Sequence, residues 1–124
     1  MLQWVSILLG GGLGALLRFL LSNGIYQLFG KAFPYGTLFV NVLGSFLIGL
    51  LTFLFMQRGL LETPLARGLI VGVLGALTTF STFSLDNFDL LMQGAILKCV
   101  VNMVLNVGFC LLAVSLGVLV ARSF

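Results

Sequence analysis

Four long apolar stretches dominate the chain, at about 3–29, 34–56, 65–92 and 95–120, and short clusters of glycine, proline and charge separate them. Each is long enough to cross a bilayer core, which takes about 20 helical residues. In lipid, every backbone N–H and C=O must find a partner within the protein, so a helix is the form expected of each stretch. The punctuation agrees: Gly30, Lys31 and Pro34 lie between the first two, Gln57, Arg58, Gly59, Glu62 and Pro64 between the next two, and Gly94 before the last. Pro34 suits the first turn of a helix, where its missing N–H costs nothing. The pattern predicts an all-α membrane protein with one four-helix transmembrane domain over residues 1–124.

Polar residues inside such spans are expensive, so each needs a reason. In span two, Thr37, Asn41 and Ser45 recur every four residues, and in span four Asn102, Asn106 and Cys110 do the same. That spacing puts each set on one helix face. The two stripes either bond neighbouring helices together or line a shared polar path. Span three carries GALTTFSTFS, Gly75–Ser84, in which Thr78, Thr79, Ser81 and Thr82 surround Phe80 and Phe83. β-Branched residues beside glycine are poor helix formers. The run is either a continuous helix with hydroxyls bonded back to carbonyls, or a break near the middle of the span. Broken backbone at membrane depth survives only where it is buried in protein or lines a cavity. It would free carbonyls for a cation and N–H groups for an anion. Phe80 and Phe83 are either ordinary packing or a wall whose positive ring edges favour an anion without trapping it. Arg18, the basic residue farthest from the ends of a span, either snorkels to the interface or draws anions into a vestibule. Asp86 and Asp89, near the end of span three, read as solvated charges.

Composition narrows the class further. With 60% hydrophobic and 7% charged residues and a mean hydropathy of +1.25, the chain lacks the charged surface of a soluble domain. The net charge of +3 comes from six basic and three acidic residues, too few for a nucleic-acid surface and better suited to lipid headgroups. No histidine is present, which removes the commonest general base and metal ligand. With no nucleophile–base set, metal-ligand cluster or phosphate loop either, an enzyme is not expected. Cys99 and Cys110 read as small apolar fillers. The N-terminal stretch has no basic leader and outruns a signal peptide's apolar core, so it reads as a retained span. The loop charges nearly balance: Arg58, Arg67 and Arg122 fall on one side of a four-span protein, Lys31 and Lys98 on the other. Basic residues set orientation by their excess on the cytoplasmic side. The balance therefore means either one orientation held by a weak bias, or insertion both ways to give an antiparallel dimer.

Three blocks, GGGLGALLRF (Gly10–Phe19), PYGTLFVNVLGSFLIG (Pro34–Gly49) and GALTTFSTFS (Gly75–Ser84), resemble the Fluc (CrcB) family of bacterial fluoride channels. In order and spacing they cover most of the chain. The resemblance implies an antiparallel, dual-topology homodimer in the bacterial inner membrane, with the third helix broken near the midplane and pores that pass fluoride passively. It implies that Phe80 and Phe83 line the pore, that Asn41 donates to the ion, and that Arg18 stands in the vestibule. Thr37, Thr79, Ser81 and Thr82 fall at matching motif positions. It further implies a structural sodium ion at the dimer interface, held by the backbone carbonyls of Gly75 and Thr78. Many relatives carry a Tyr and a Ser where this chain has Asn102 and Asn106, so a line of hydroxyls becomes a line of amides, which still donate. The rival readings are a small multidrug-type proton-coupled exporter, which needs a membrane-embedded carboxylate where span one offers Arg18, and a non-transporting assembly subunit.

Overall fold

The computed structural model describes all of Met1–Phe124. It is all-helical, with no strand, and four of its helical rods are long and apolar enough to cross a membrane. The first is α1 (Leu2–Phe29) and the second α2 (Tyr35–Gln57). The third rod is composite: α3 (Pro64–Arg67), a π-helical segment (Gly68–Leu74), α4 (Gly75–Leu77) and, after a gap, α5 (Ser81–Met92). The fourth is α6 (Ile96–Arg122).

Local chemistry sets the ends. The Thr63 hydroxyl accepts the Ala66 N–H at 3.3 Å, and Pro64 takes the first helical position of α3, where proline is best tolerated. Gly94 has φ 77°, a left-handed conformation that costs glycine little, and it turns the chain from α5 into α6.

Two glycine seams hold the rods together. Gly10 and Gly14 of α1 lie against the π-helical segment, where a Cβ would overlap the carbonyl oxygens of Gly68 and Val73 respectively. Gly49 of α2 meets the Val114 carbonyl of α6, and Gly117 of α6 meets that of Phe46. Close backbone approach of this kind is how helices gain packing energy in lipid, where burying apolar surface gives no drive. A small apolar core of Val40, Leu74 and Leu77, padded by Leu17, Leu21, Leu47, Ile48 and Leu51, joins α2 to the third rod.

Only 23 of 124 residues are buried, and Trp4, Leu8, Leu97 and Leu111 stand on the outside. In water such a surface would aggregate; hydrocarbon accepts it.

The third rod breaks inside the GALTTFSTFS run. Gly75 is helical, at φ −62° and ψ −35°, and α4 runs on to Leu77. Thr78 is then extended, at φ −84° and ψ 155°, and helix resumes at Ser81. The π-helical turns just before it, which often mark functional sites, have no signal in the sequence.

Candidate functional site

The break is held open from another helix. Asn41 of α2 accepts the Thr79 N–H at its Oδ1 (2.8 Å) and donates from Nδ2 to the Thr79 carbonyl (3.1 Å). Its side-chain amide thus pairs with both backbone groups of Thr79 as a strand would, and supplies the partners that helix would have given. Two further side chains finish the job. Thr79 Oγ1 accepts the Thr82 N–H at 3.1 Å, capping the first turn of α5. Thr78 Oγ1 donates to the Leu74 carbonyl at 2.9 Å. Gly44 of α2 leaves the space that the Thr78 methyl group fills.

These bonds leave carbonyls without donors. The Thr79 N–H that would reach Gly75 is turned to Asn41, and the Thr82 N–H that would reach Thr78 is held by the Thr79 hydroxyl. The carbonyls of Gly75 and Thr78 therefore accept no backbone hydrogen bond. Unwound carbonyls of this kind suit an alkali cation.

From Asn41 a line of amides runs across the molecule. Asn41 Nδ2 donates to Asn106 Oδ1 (3.1 Å), Asn106 Nδ2 to Asn102 Oδ1 (2.8 Å), and Asn102 Nδ2 to Asn87 Oδ1 (2.8 Å). Asn106 Nδ2 also donates to the Asn102 carbonyl at 3.0 Å. All four side chains are buried, Asn102 completely. The i, i+4 spacing of Asn102 and Asn106 lets one bond the other along α6, and Asn41 and Asn87 close the line at its ends.

Two cavities flank the break, and Thr79 borders both. The first, about 440 Å³, is lined by Asn41, Thr78, Phe80, Phe83 and Asn106, with Gly75, Ser45 and Cys110 beside them. Phe80 and Phe83 pack at 5.4 Å between ring centroids, tilted by 50°. Phe83 is buried, whereas Phe80 is 77% exposed. The second, about 360 Å³, is lined by Arg18, Tyr26, Thr37, Thr82 and Asp86 among others. There Thr37 Oγ1 donates to Asp86 at 2.7 Å and lies 3.5 Å from the Tyr26 hydroxyl. Arg18 reaches Thr82 Oγ1 at 3.5 Å.

The residues singled out in the sequence thus divide between two compartments. Asn41, Thr79, Phe80, Phe83 and Asn106, with Gly75 and Thr78, surround the first; Arg18, Thr37 and Thr82, again with Thr79, surround the second. Ser81 is exposed and lines neither, though its hydroxyl lies 3.2 Å from that of Thr79. Asn102 lies behind Asn106. Both N–H hydrogens of Asn41 are engaged, on Thr79 and Asn106, so a bound ion must take one over. Asp86 is half-buried and bonded to Thr37, not the freely solvated charge expected. Asn87 and Tyr26 were not anticipated. Asn87 was legible in principle, because Phe83, Asn87 and Leu90 are the buried residues of α5 and their spacing of four and three marks one helix face.

Comparison with known proteins narrows what this arrangement does. The family described as CrcB-like protein, Camphor Resistance (CrcB), matches residues 5–118. A protein of Magnetococcus marinus named fluoride-specific ion channel FluC is 48% identical over 121 residues, covering 98% of this chain and 97% of its own length. A protein of the same name from Aeromonas salmonicida is 48% identical over 123 residues, covering 99% and 98%. Another, from Methylococcus capsulatus, is 49% identical over 121 residues. The chain spans about half the length of that last protein (53%).

Proposed function

The chain belongs to the CrcB family, and on that basis we propose that it is a fluoride-selective ion channel of a bacterial inner membrane. The observation that carries the reading is similarity over nearly the whole chain to relatives named fluoride-specific ion channels. The donor-lined break and its cavities, set inside an apolar bundle, support it. Fluoride enters cells from acidic surroundings as neutral HF and is trapped as the anion in the less acidic interior, and a passive pore lets it leave down its electrochemical gradient.

The chemistry required is replacement of a tightly held water shell. Fluoride is small, so hydrogen-bond donors must approach closely. Arg18 gathers the anion into the second cavity, beside the hydroxyls of Thr37, Thr79 and Thr82. On the other side of the Thr79 peptide, Asn41 and Asn106 offer N–H groups, and Phe80 and Phe83 offer ring edges whose positive rim favours an anion. Ser81 and Asn102 act one step removed, through Thr79 and Asn106. The absence of a fixed charge among the residues lining the first cavity keeps fluoride from being held too tightly to leave.

The working unit in this reading is an antiparallel homodimer inserted in both orientations. The exposed Phe80 beside an open cavity supports it, since a second copy would complete that wall. So does the near balance of loop charges. Sodium fits the donor-free carbonyls of Gly75 and Thr78, which would hold it where two copies meet, and its charge would join the two broken rods.

Efflux from liposomes tests the function. Purified protein should release fluoride quickly and without a proton gradient, and should leave chloride inside. A requirement for a proton gradient would favour an exporter, and no release from an intact dimer would reject transport of fluoride altogether.

A further inference from the structure

We propose that Asn87 is a positioning residue for fluoride permeation, acting through Asn102 on the amide of Asn106. The proposal rests on the fluoride-channel reading and adds to it a residue that touches neither cavity.

The amide line has one direction. The Thr79 N–H is a fixed backbone donor, and it requires Asn41 to present Oδ1 to it. Asn41 Nδ2 then has one hydrogen on the Thr79 carbonyl and the other on Asn106 Oδ1. Asn106 in turn presents Nδ2 to Asn102 Oδ1, and Asn102 presents Nδ2 to Asn87 Oδ1. Each amide accepts from the side of the break and donates toward α5. Such a line is only as secure as its last acceptor, because a buried N–H without a partner drives rotation of the group that carries it. Asn102 is fully buried and its one hydrogen-bonded acceptor is Asn87.

The line matters because Asn106 faces the first cavity. Of its two N–H bonds, the one to the Asn102 carbonyl goes to an oxygen already engaged in the helix ladder of α6. That hydrogen is the cheaper one to lend to an anion. The other, on Asn102 Oδ1, keeps the amide nitrogen turned the right way while the loan is made. If Asn102 rotates, its nitrogen replaces its oxygen opposite Asn106. Asn106 Nδ2 then faces a donor where it had an acceptor, and only the Asn102 carbonyl and Asn41 still hold its amide. Asn87 thereby helps to fix the amide that the pore wall offers to fluoride.

The test uses Asn87→Leu, which keeps the branched shape and removes the acceptor, together with Asn102→Leu and the double variant. Each is reconstituted into liposomes at limiting protein density. The fraction of vesicles that release fluoride counts assembled channels, and the initial rate gives the flux of each. For Asn87→Leu the expected result is a per-channel rate lower by roughly tenfold or more, with the active fraction unchanged. In the Asn102→Leu background, Asn87→Leu should cost nothing further, since its partner is already gone. An unchanged per-channel rate would overturn the proposal. So would a loss confined to the active fraction, or a full additional loss in the double variant. If the unaltered protein releases no fluoride, the channel reading itself fails; if it does and Asn87→Leu matches it, only the role of Asn87 fails.

Discussion

Replacing Asn41 with leucine removes three hydrogen bonds at once while keeping the branched shape of the side chain. The Thr79 N–H, the Thr79 carbonyl and Asn106 Oδ1 all lose their partner. Each buried polar group left unpaired costs about 1–3 kcal/mol, so the upper bound is about 9 kcal/mol. The groups beside the cavity of about 440 Å³ can recover water, which leaves a net expectation of about 3 kcal/mol. The same loss, expressed in the permeation barrier, slows fluoride efflux about a hundredfold. Asn41→Asp separates holding the break from serving the anion. An ionised aspartate still accepts the Thr79 N–H but donates to neither Thr79 nor Asn106, and it adds a negative charge to the wall of an anion path. At about 4 Å from fluoride that repulsion is about 4 kcal/mol with an effective dielectric constant near 20. Asn41→Asp should therefore block flux at least as fully as Asn41→Leu. Thermal unfolding in detergent gives the stability, and a fluoride electrode outside loaded liposomes gives the flux. Wild-type flux and stability in Asn41→Leu would refute the assignment of Asn41 as the clamp on the break.

Other consequences are open to measurement in the same preparations. Phe80→Ile or Phe83→Ile should lower fluoride flux about tenfold while the assembly still elutes at its normal size, and undiminished flux in both would remove the ring edges from the mechanism. Gly14→Val places methyl groups on the Val73 carbonyl, and overpacking should lower stability by at least 1–3 kcal/mol, seen as a lower unfolding midpoint. Replacing all sodium with a large organic cation should lower the midpoint for dimer dissociation if the Gly75 and Thr78 carbonyls hold that ion; an unmoved midpoint would leave those carbonyls without a ligand.

The parts of the molecule that obey one-dimensional rules were legible in the sequence. Four apolar runs mark four rods because the bilayer sets their length, and the spacing of Asn102 and Asn106 marks one face of α6. The break was only half legible. The GALTTFSTFS run marked the region, but within it Gly75 is helical and the chain departs from helix only at Thr78. The cause is not local flexibility but Asn41, 38 residues away in sequence, whose amide captures the Thr79 peptide. No window on span three alone contains that partner. Asn87 was overlooked because Asp86 and Asp89 on either side of it read as a solvated helix end, although it shares a face with Phe83. Phe80 shows the opposite limit: its place in the motif is plain, but nothing in the motif foretells that its ring stands exposed while that of Phe83 is buried.

The central claim, that this bundle passes fluoride and discriminates against larger halides, is tested most directly in a planar bilayer with fluoride on one side and chloride on the other. A fluoride-selective channel gives a current whose reversal potential lies close to that of a membrane permeable to fluoride alone. A reversal near zero, or no current from protein shown to be assembled, would contradict it.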